Sequence, residues 1–188
     1  MDITIFGKGN MGQAIAKNLA NGDHQITLLD SSSETSDLGE LVILAVPYPA
    51  LATIAEKYQK ELKGKVVVDI SNPLNFETWD GLVVPADSSA AEQLQALLPE
   101  STVLKAFNTN FASTLATGKI GNEATTVLVA GDSAAKQVLI TALTGSSLQV
   151  RDAGALKRAR ELEATGFLQM TLAANEQIGW TGGFATIK

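Results

Sequence analysis

Apolar and polar positions divide the chain into short buried runs separated by segments of helical period. Ile3, Thr4, Ile5 and Phe6 form a first β run, which enters the turn Gly7, Lys8, Gly9, Asn10, Met11, Gly12. Met11, Ile15 and Leu19 then recur four apart, the spacing of one helix face. Residues 25–29 form a second β run that stops on Asp30. Residues 31–40 are too few for a helix plus a strand, so a loop or a single helical turn is expected and the usual third strand is missing. Residues 41–46 are apolar without alternation, as in a central parallel strand covered on both faces.

Pro47 and Pro49 stop that strand, and the pattern predicts a helix over residues 50–62 and a buried strand over 65–70. Residues 71–85 read as a loop and irregular chain. A helix capped by Asp87 or Ser88 is expected to run to Leu98, ahead of Pro99. Strands over 102–107, 126–130 and 147–150, a short helical piece over 111–115 and a helix over 133–143 follow, with a loop over 116–125. The longest helix is expected from Ala155 to about Ile178, with the stripe Leu156, Ala159, Leu162, Phe167, Met170, Ala174. The sum is an α/β chain with a Rossmann-like, doubly wound, mostly parallel sheet. It has a shortened segment after the second strand, a long C-terminal helix, and one domain across residues 1–188.

Composition narrows the chemistry. With 45% hydrophobic and 18% charged residues the chain can bury a core. It has no cysteine, and His24 is the only histidine, so thiol catalysis, thiolate or histidine metal sites and a Ser-His-Asp triad are not expected. A net charge of −6 argues against nucleic acid as a partner. The longest apolar run, residues 41–47, is too short to span a membrane. The first strand begins by residue 3, so no signal peptide and a cytoplasmic setting are expected.

Strand, glycine turn, helix, strand and acid are the order of a dinucleotide-binding βαβ unit. Gly7 would make the tight turn, Gly9 would admit a pyrophosphate, and Gly12 would let helix and strand lie close. Ligands in such sheets bind beyond the carboxyl ends of the strands. Those ends are the glycine turn, Asp30 with Ser31 and Ser32, Val46 with Pro47, Ser71 with Asn72, and Ala106 with Phe107 and Asn108. Small residues and amides there suit a nicotinamide ring. Asp30, eighteen residues after Gly12, is the residue type that takes the ribose hydroxyls of NAD and repels a 2′-phosphate.

The runs Asp69-Ile70-Ser71-Asn72-Pro73-Leu74-Asn75, Val103-Leu104-Lys105-Ala106-Phe107-Asn108, Val129-Ala130-Gly131-Asp132 and Asp152-Ala153-Gly154-Ala155-Leu156 follow the glycine turn in order. Together they resemble the coenzyme F420-dependent NADP oxidoreductases, and also the cytosolic domain of the six-transmembrane ferric reductases. The resemblance covers almost the whole chain. It implies an oxidoreductase that moves hydride between a nicotinamide dinucleotide and F420 or a flavin. It also implies that Lys8, Asn10 and Met11 touch the pyrophosphate, that Val46, Pro47 and Ser71 lie along the nucleotide, and that Ala106, Phe107 and Asn108 flank the nicotinamide. Such transfer needs positioning more than an acid or base, so no catalytic residue is named.

Family precedent favours NADP. Residues 30–34, however, hold no Lys or Arg for a 2′-phosphate, and Asp30 suits NAD, while the serine hydroxyls of residues 31–33 can still donate to a phosphate. Lys105, Arg151, Lys157, Arg158 and Arg160 are candidates for a basic rim facing the acidic F420 tail, the last three also being a plain solvated helix face. Trp180 is a candidate stacking residue or subunit contact. Ala164, Gly166, Ala173 and Ala174 suggest a homodimer built on the last helix. The alternative function is a sensor that holds NAD(P) without turnover, in which side chains would fill the space between Asn108 and the glycines at 179–183.

Overall fold

The computed structural model describes residues 1–187. Its frame is a seven-stranded sheet. In chain order, the first part of the fold is β1 (Asp2–Phe6), α1 (Asn10–Leu19), β2 (Gln25–Leu29), β3 (Leu41–Leu44), α2 (Ala50–Lys57), α3 (Gln59–Leu62), β4 (Val66–Asp69), α4 (Ala90–Leu97) and β5 (Thr102–Lys105). There follow α5 (Ala112–Thr117), the hairpin β6 (Lys119–Ile120) and β7 (Glu123–Ala124), β8 (Thr126–Ala130), α6 (Ser133–Ala142), β9 (Gln149–Gly154) and α7 (Ala159–Ala174).

The strand order is β2-β1-β3-β4-β5-β8-β9. The first five strands are mutually parallel, and β8 joins β5 antiparallel, with β9 parallel to β8. The unalternating apolar run of β3 is explained by its two covered faces. Leu41 and Ile43 belong to the core under α1, α5 and α6, while Val42 and Leu44 belong to the core under α2 and α4. This is the expected Rossmann-like, doubly wound sheet. The connection after β2 holds no strand or helix, only turns and bends. Leu38 is buried, and the Gly39 N–H donates to the Thr4 hydroxyl at 2.9 Å.

Several boundaries differ from expectation. The helix over 50–62 is two pieces, because Tyr58 leaves helical geometry (φ −113°, ψ 20°) while its ring packs 5.1 Å from that of Phe6. The α4 cap is Ser89 rather than Asp87 or Ser88, with its hydroxyl accepting from the Glu92 N–H. The expected loop over 116–125 contains the β6–β7 hairpin. β9 runs on through Arg151, Asp152 and Ala153 to Gly154, and a single 3₁₀ turn (Leu156–Arg158) precedes α7.

The last helix stops at Ala174, not near Ile178, and Glu176 turns the chain at φ 58°. Its buried side is Ala159, Leu162, Glu163, Gly166, Gln169 and Ala173, so Ala174 is exposed and polar residues share the stripe.

Candidate functional site

The sheet order reverses between β1 and β3, and a cavity of about 830 Å³ opens at the carboxyl ends beside that point. The turn after β1 is built by the absence of side chains. Gly7 has φ +112°, and a Cβ there would stand 2.1 Å from the Ala45 carbonyl oxygen; a Cβ on Gly12 would stand 1.9 Å from that of Gly7. Space above Gly9 is open, with nothing within 4 Å of an added Cβ. Gly9 is the N-cap of α1 and supplies no side-chain cap, so the first-turn N–H groups of this helix are not occupied by a capping side chain.

Of the expected site residues, Gly9, Asn10, Met11, Val46, Pro47, Ser71, Asn72 and Asn108 line the cavity. Gly7, Lys8, Gly12, Asp30, Ser31, Ser32, Ala106 and Phe107 are not part of its wall. Gly7 and Gly12 shape the turn from within. Ala106 and Phe107 are fully buried in the core, where their side chains support the β5 loop from below. Phe107 takes the left-handed conformation (φ 62°), which turns the chain directly after β5.

Lys8 and Asp30 form a separate polar corner. Lys8 Nζ lies 2.7 Å from Asp30 Oδ2, and the other carboxylate oxygen accepts from Ser32 and Ser33. Lys8 first, then the two serines, hold the Asp30 carboxyl well below the usual range. The sequence separates Lys8 from Asp30 by twenty-two positions.

Beneath the cavity floor lies a cluster that hydrophobic patterning missed. Lys105 Nζ is 2.7 Å from Asp69 Oδ2, 2.7 Å from Glu163 Oε1 and 2.7 Å from the Ser71 carbonyl oxygen, with all three charged side chains fully buried. Lys105 therefore belongs to the interior and not to a basic rim. Asp69 Oδ1 accepts from the Ser71 N–H at 2.8 Å. The ion pair thus holds both backbone polar groups of Ser71. Glu163 Oε2 accepts from the Ala90 N–H at 3.0 Å, at the start of α4. Burial pushes the Glu163 carboxyl up, and Lys105 opposes that rise. Burial also raises the Tyr48 phenol, helped by the charges of Glu163 and Asp69, and its hydroxyl donates to Gln93 at 2.6 Å.

The far wall is made by the β5 loop, α5 and the chain after α7. Asn72 and Asn108 exchange amide bonds: Asn72 Nδ2 donates to the Asn108 carbonyl at 2.8 Å, and Asn108 Nδ2 donates to Asn72 Oδ1 at 2.9 Å and to the Leu162 carbonyl at 2.8 Å. Gly166 admits this pair, since a Cβ there would stand 2.4 Å from Asn72 Oδ1. Gly166 and Ala173 are buried within the chain, leaving Ala164, beside Leu168, and Ala174 exposed. Gln169 donates to the Thr109 carbonyl at 3.1 Å and accepts from the Phe184 N–H at 3.2 Å, which brings the tail back over the cavity. Trp180, half exposed, packs 5.0 Å from Phe111, and both line the wall. Arg158 and Arg160 pair with Glu161, and no Lys or Arg among the described residues lines the cavity. Among the described residues no helix is long and apolar enough to cross a membrane.

Known proteins resemble the chain in sequence and fold. The family described as NADP oxidoreductase coenzyme F420-dependent matches residues 30–73. An F420-dependent NADP reductase of Methanocaldococcus jannaschii is 32% identical over 130 residues, 67% of this chain and 58% of that protein. Metalloreductase STEAP3 of Rattus norvegicus is 32% identical over 142 residues, 74% of this chain and 27% of that protein. The chain thus spans less than two thirds of the length of these curated relatives. The crystal structure of a proposed F420-dependent NADP-reductase from Arthrobacter sp. FB24 superposes with a TM-score of 0.81 at 25% identity, covering 100% of both chains. Matching segment, matching fold and the motifs at the strand ends agree: the chain is a relative of the coenzyme F420-dependent NADP oxidoreductase family.

Proposed function

We propose that the chain is an NAD(P)-dependent oxidoreductase that passes hydride between a nicotinamide dinucleotide and a planar acceptor, coenzyme F420 or a flavin. The observation that carries the reading is the cavity itself. It begins at Gly9 and Asn10, crosses Ser71 and Asn108, and continues past them to Phe111 and Trp180. A volume of about 830 Å³ extends well beyond a single nicotinamide ring, and among the described residues its walls carry no charged side chain. Side chains do not fill the space between Asn108 and the tail, which is what a sensor without turnover would need.

The residues present fit a dinucleotide. The first-turn N–H groups of α1 and the open space over Gly9 suit a pyrophosphate. The Ser71 peptide, fixed by Asp69 and Lys105, and the Asn72–Asn108 pair suit the orientation of a flat amide-bearing ring. A bound nicotinamide cofactor supplies the hydride chemistry. The chain supplies binding, orientation and exclusion of water, and no side-chain acid or base is required for the transfer. NADP is the dinucleotide named for the relatives. A homodimer across the outer side of α7, at Ala164 and Leu168, is part of the proposal, and sedimentation showing only monomer at micromolar concentration removes it.

The test is a thermal-shift comparison of NAD, NADP, F420, FMN and FAD, followed by NAD(P)H oxidation with each acceptor that stabilises the protein. Stabilisation by a dinucleotide with oxidation by at least one acceptor is the expected result. Dinucleotide binding with no oxidation by any of them supports the sensor instead. No stabilisation by either dinucleotide overturns both.

A further inference from the structure

Past Asn108 the cavity changes character. Its second half is walled by Phe76 from the loop after β4, Phe111 and Ser113 at the start of α5, Met170 of α7, and Trp180 and Thr181 of the tail. Phe76 and Trp180 are 53% and 50% exposed, although each already packs on a neighbour, Trp79 at 5.5 Å and Phe111 at 5.0 Å. Two half-bare aromatic side chains in one cavity leave apolar surface that a planar ring would cover. The charges flanking these wall residues are acids. Glu77 follows Phe76, Asp80 lies on the same loop, and Glu176 makes the turn that leads to Trp180; all three are exposed. The nearest cations along the chain are engaged or directed elsewhere. Lys17 donates to the Ala116 carbonyl at 2.9 Å, toward the far end of α5, and Lys119 begins β6 beyond it. Arg160, ten residues and about 15 Å of helix before Met170, pairs with Glu161, as does Arg158.

We propose that the acceptor is an uncharged planar ring, a flavin without its phosphate or a quinone, and that an anionic tail counts against binding. The inference rests on the hydride-transfer reading above and narrows its acceptor. An anion brought to this wall loses water and meets no cation among the described residues, while the exposed acids repel it. A neutral ring instead buries its apolar faces against Phe76, Phe111, Met170 and Trp180. The Ser113 hydroxyl is already spent on the Trp180 carbonyl, so Thr181 is the hydroxyl left to meet a ring carbonyl. The transfer balances with solvent as the proton source. The C4–H bond of the reduced nicotinamide breaks, and its hydrogen leaves with both electrons for N5 of the flavin or one carbonyl oxygen of the quinone. The nicotinamide is oxidised, and one proton from solvent completes the reduced ring.

Matched ligands test this by holding the ring constant and varying only the tail. Riboflavin against FMN, and the tail-free deazaflavin core of F420 against F420, are titrated by fluorescence into the intact chain saturated with NAD or NADP. Each tail-free ring should bind about tenfold tighter than its anionic counterpart, the scale of one unpaired charge at the wall. Thr181→Arg places a cation on that wall and should raise the FMN-over-riboflavin ratio about tenfold, whereas Thr181→Gln, similar in bulk but uncharged, should leave it unchanged. Thr181 is exposed, so folding is expected to persist, and a melting curve by circular dichroism checks it. Menadione, a quinone without a tail, separates the two sources: a KM in NAD(P)H oxidation below that of riboflavin assigns a quinone, and one above it a flavin. FMN or F420 binding as tightly as its tail-free ring overturns the inference and leaves the proposed function standing. A ratio that Thr181→Arg does not move overturns it too. A dinucleotide that binds with no ring following it brings down the hydride-transfer reading itself.

Discussion

The three glycines of the first turn do different physical work, and single substitutions separate them. At Gly12 an added methyl meets the Gly7 carbonyl oxygen at 1.9 Å, a backbone atom that cannot rotate away. Gly12→Ala should therefore force α1 off β1, costing about 1–3 kcal/mol in urea denaturation, the range for overpacking. Gly9 has ordinary extended geometry (φ −73°, ψ −175°) and open space around it. Gly9→Ala should hold stability within about 0.5 kcal/mol, as for a surface substitution. It should still weaken dinucleotide binding, because the new methyl occupies the approach to the first-turn amides of α1. Wild-type affinity in Gly9→Ala would mean that the space over this glycine is not used. The turn was readable from sequence because its glycines are adjacent and flanked by strand and helix patterns. The Lys8–Asp30 contact was not, since nothing local joins positions twenty-two apart.

The ends of β4, β5, α4 and α7 meet at Lys105, Asp69 and Glu163, and this junction holds the cavity floor. Burying two carboxylates against one ammonium gains little net stability, but removing the ammonium leaves the carboxylates uncompensated. Lys105→Met should cost about 3–5 kcal/mol, the range for breaking a buried pair. Glu163→Gln keeps the shape and removes one charge. Because the Glu163 carboxyl is raised on folding, the native state binds its proton more tightly than the unfolded chain does. Wild-type stability from this group is therefore greatest at low pH and declines as pH rises from the ordinary glutamate value toward the raised one. Glu163→Gln should lack that decline, so the stability of wild type relative to the variant should fall with rising pH across that window. A difference that is flat with pH would show that Glu163 keeps an ordinary carboxyl.

Sequence patterning located α7 and its residues Ala159 and Leu162. It passed over Glu163 and Gln169 because counting apolar positions cannot register polar groups that bury by pairing across elements. It also marked Lys105 as a rim cation, since a lysine ending a strand carries no local sign that two carboxylates await it. The segment after β2 is legible for the opposite reason: its length alone excludes a helix and a strand.

Across the molecule the cavity has two halves of different origin, which makes them separable by experiment. The half beside Gly9, Val46 and Ser71 comes from the parallel strands β1, β3 and β4. The half beside Phe111, Ser113 and Trp180 is completed by α5 and by the tail folding back after α7. The tail is held there by Gln169 and by the Ser113 hydroxyl, which donates to the Trp180 carbonyl. The parallel half follows from local pattern, whereas the tail's return depends on the turn at Glu176 and on a glutamine buried in α7. If the second half receives the acceptor ring, Trp180→Ala should raise the KM for the acceptor about threefold to tenfold, the scale of one aromatic contact. Its dissociation constant for the dinucleotide should stay within about twofold if the dinucleotide is held by the strand ends and not by the tail that carries Trp180. Phe184→Ala is the control for tail packing: Phe184 is an exposed aromatic of the same tail that does not line the cavity. A rise in acceptor KM for Trp180→Ala alone assigns the wall to the acceptor. Equal effects of the two substitutions would mean that the tail acts only by packing, and a matching loss of dinucleotide affinity would place the nicotinamide, not the acceptor, under Trp180.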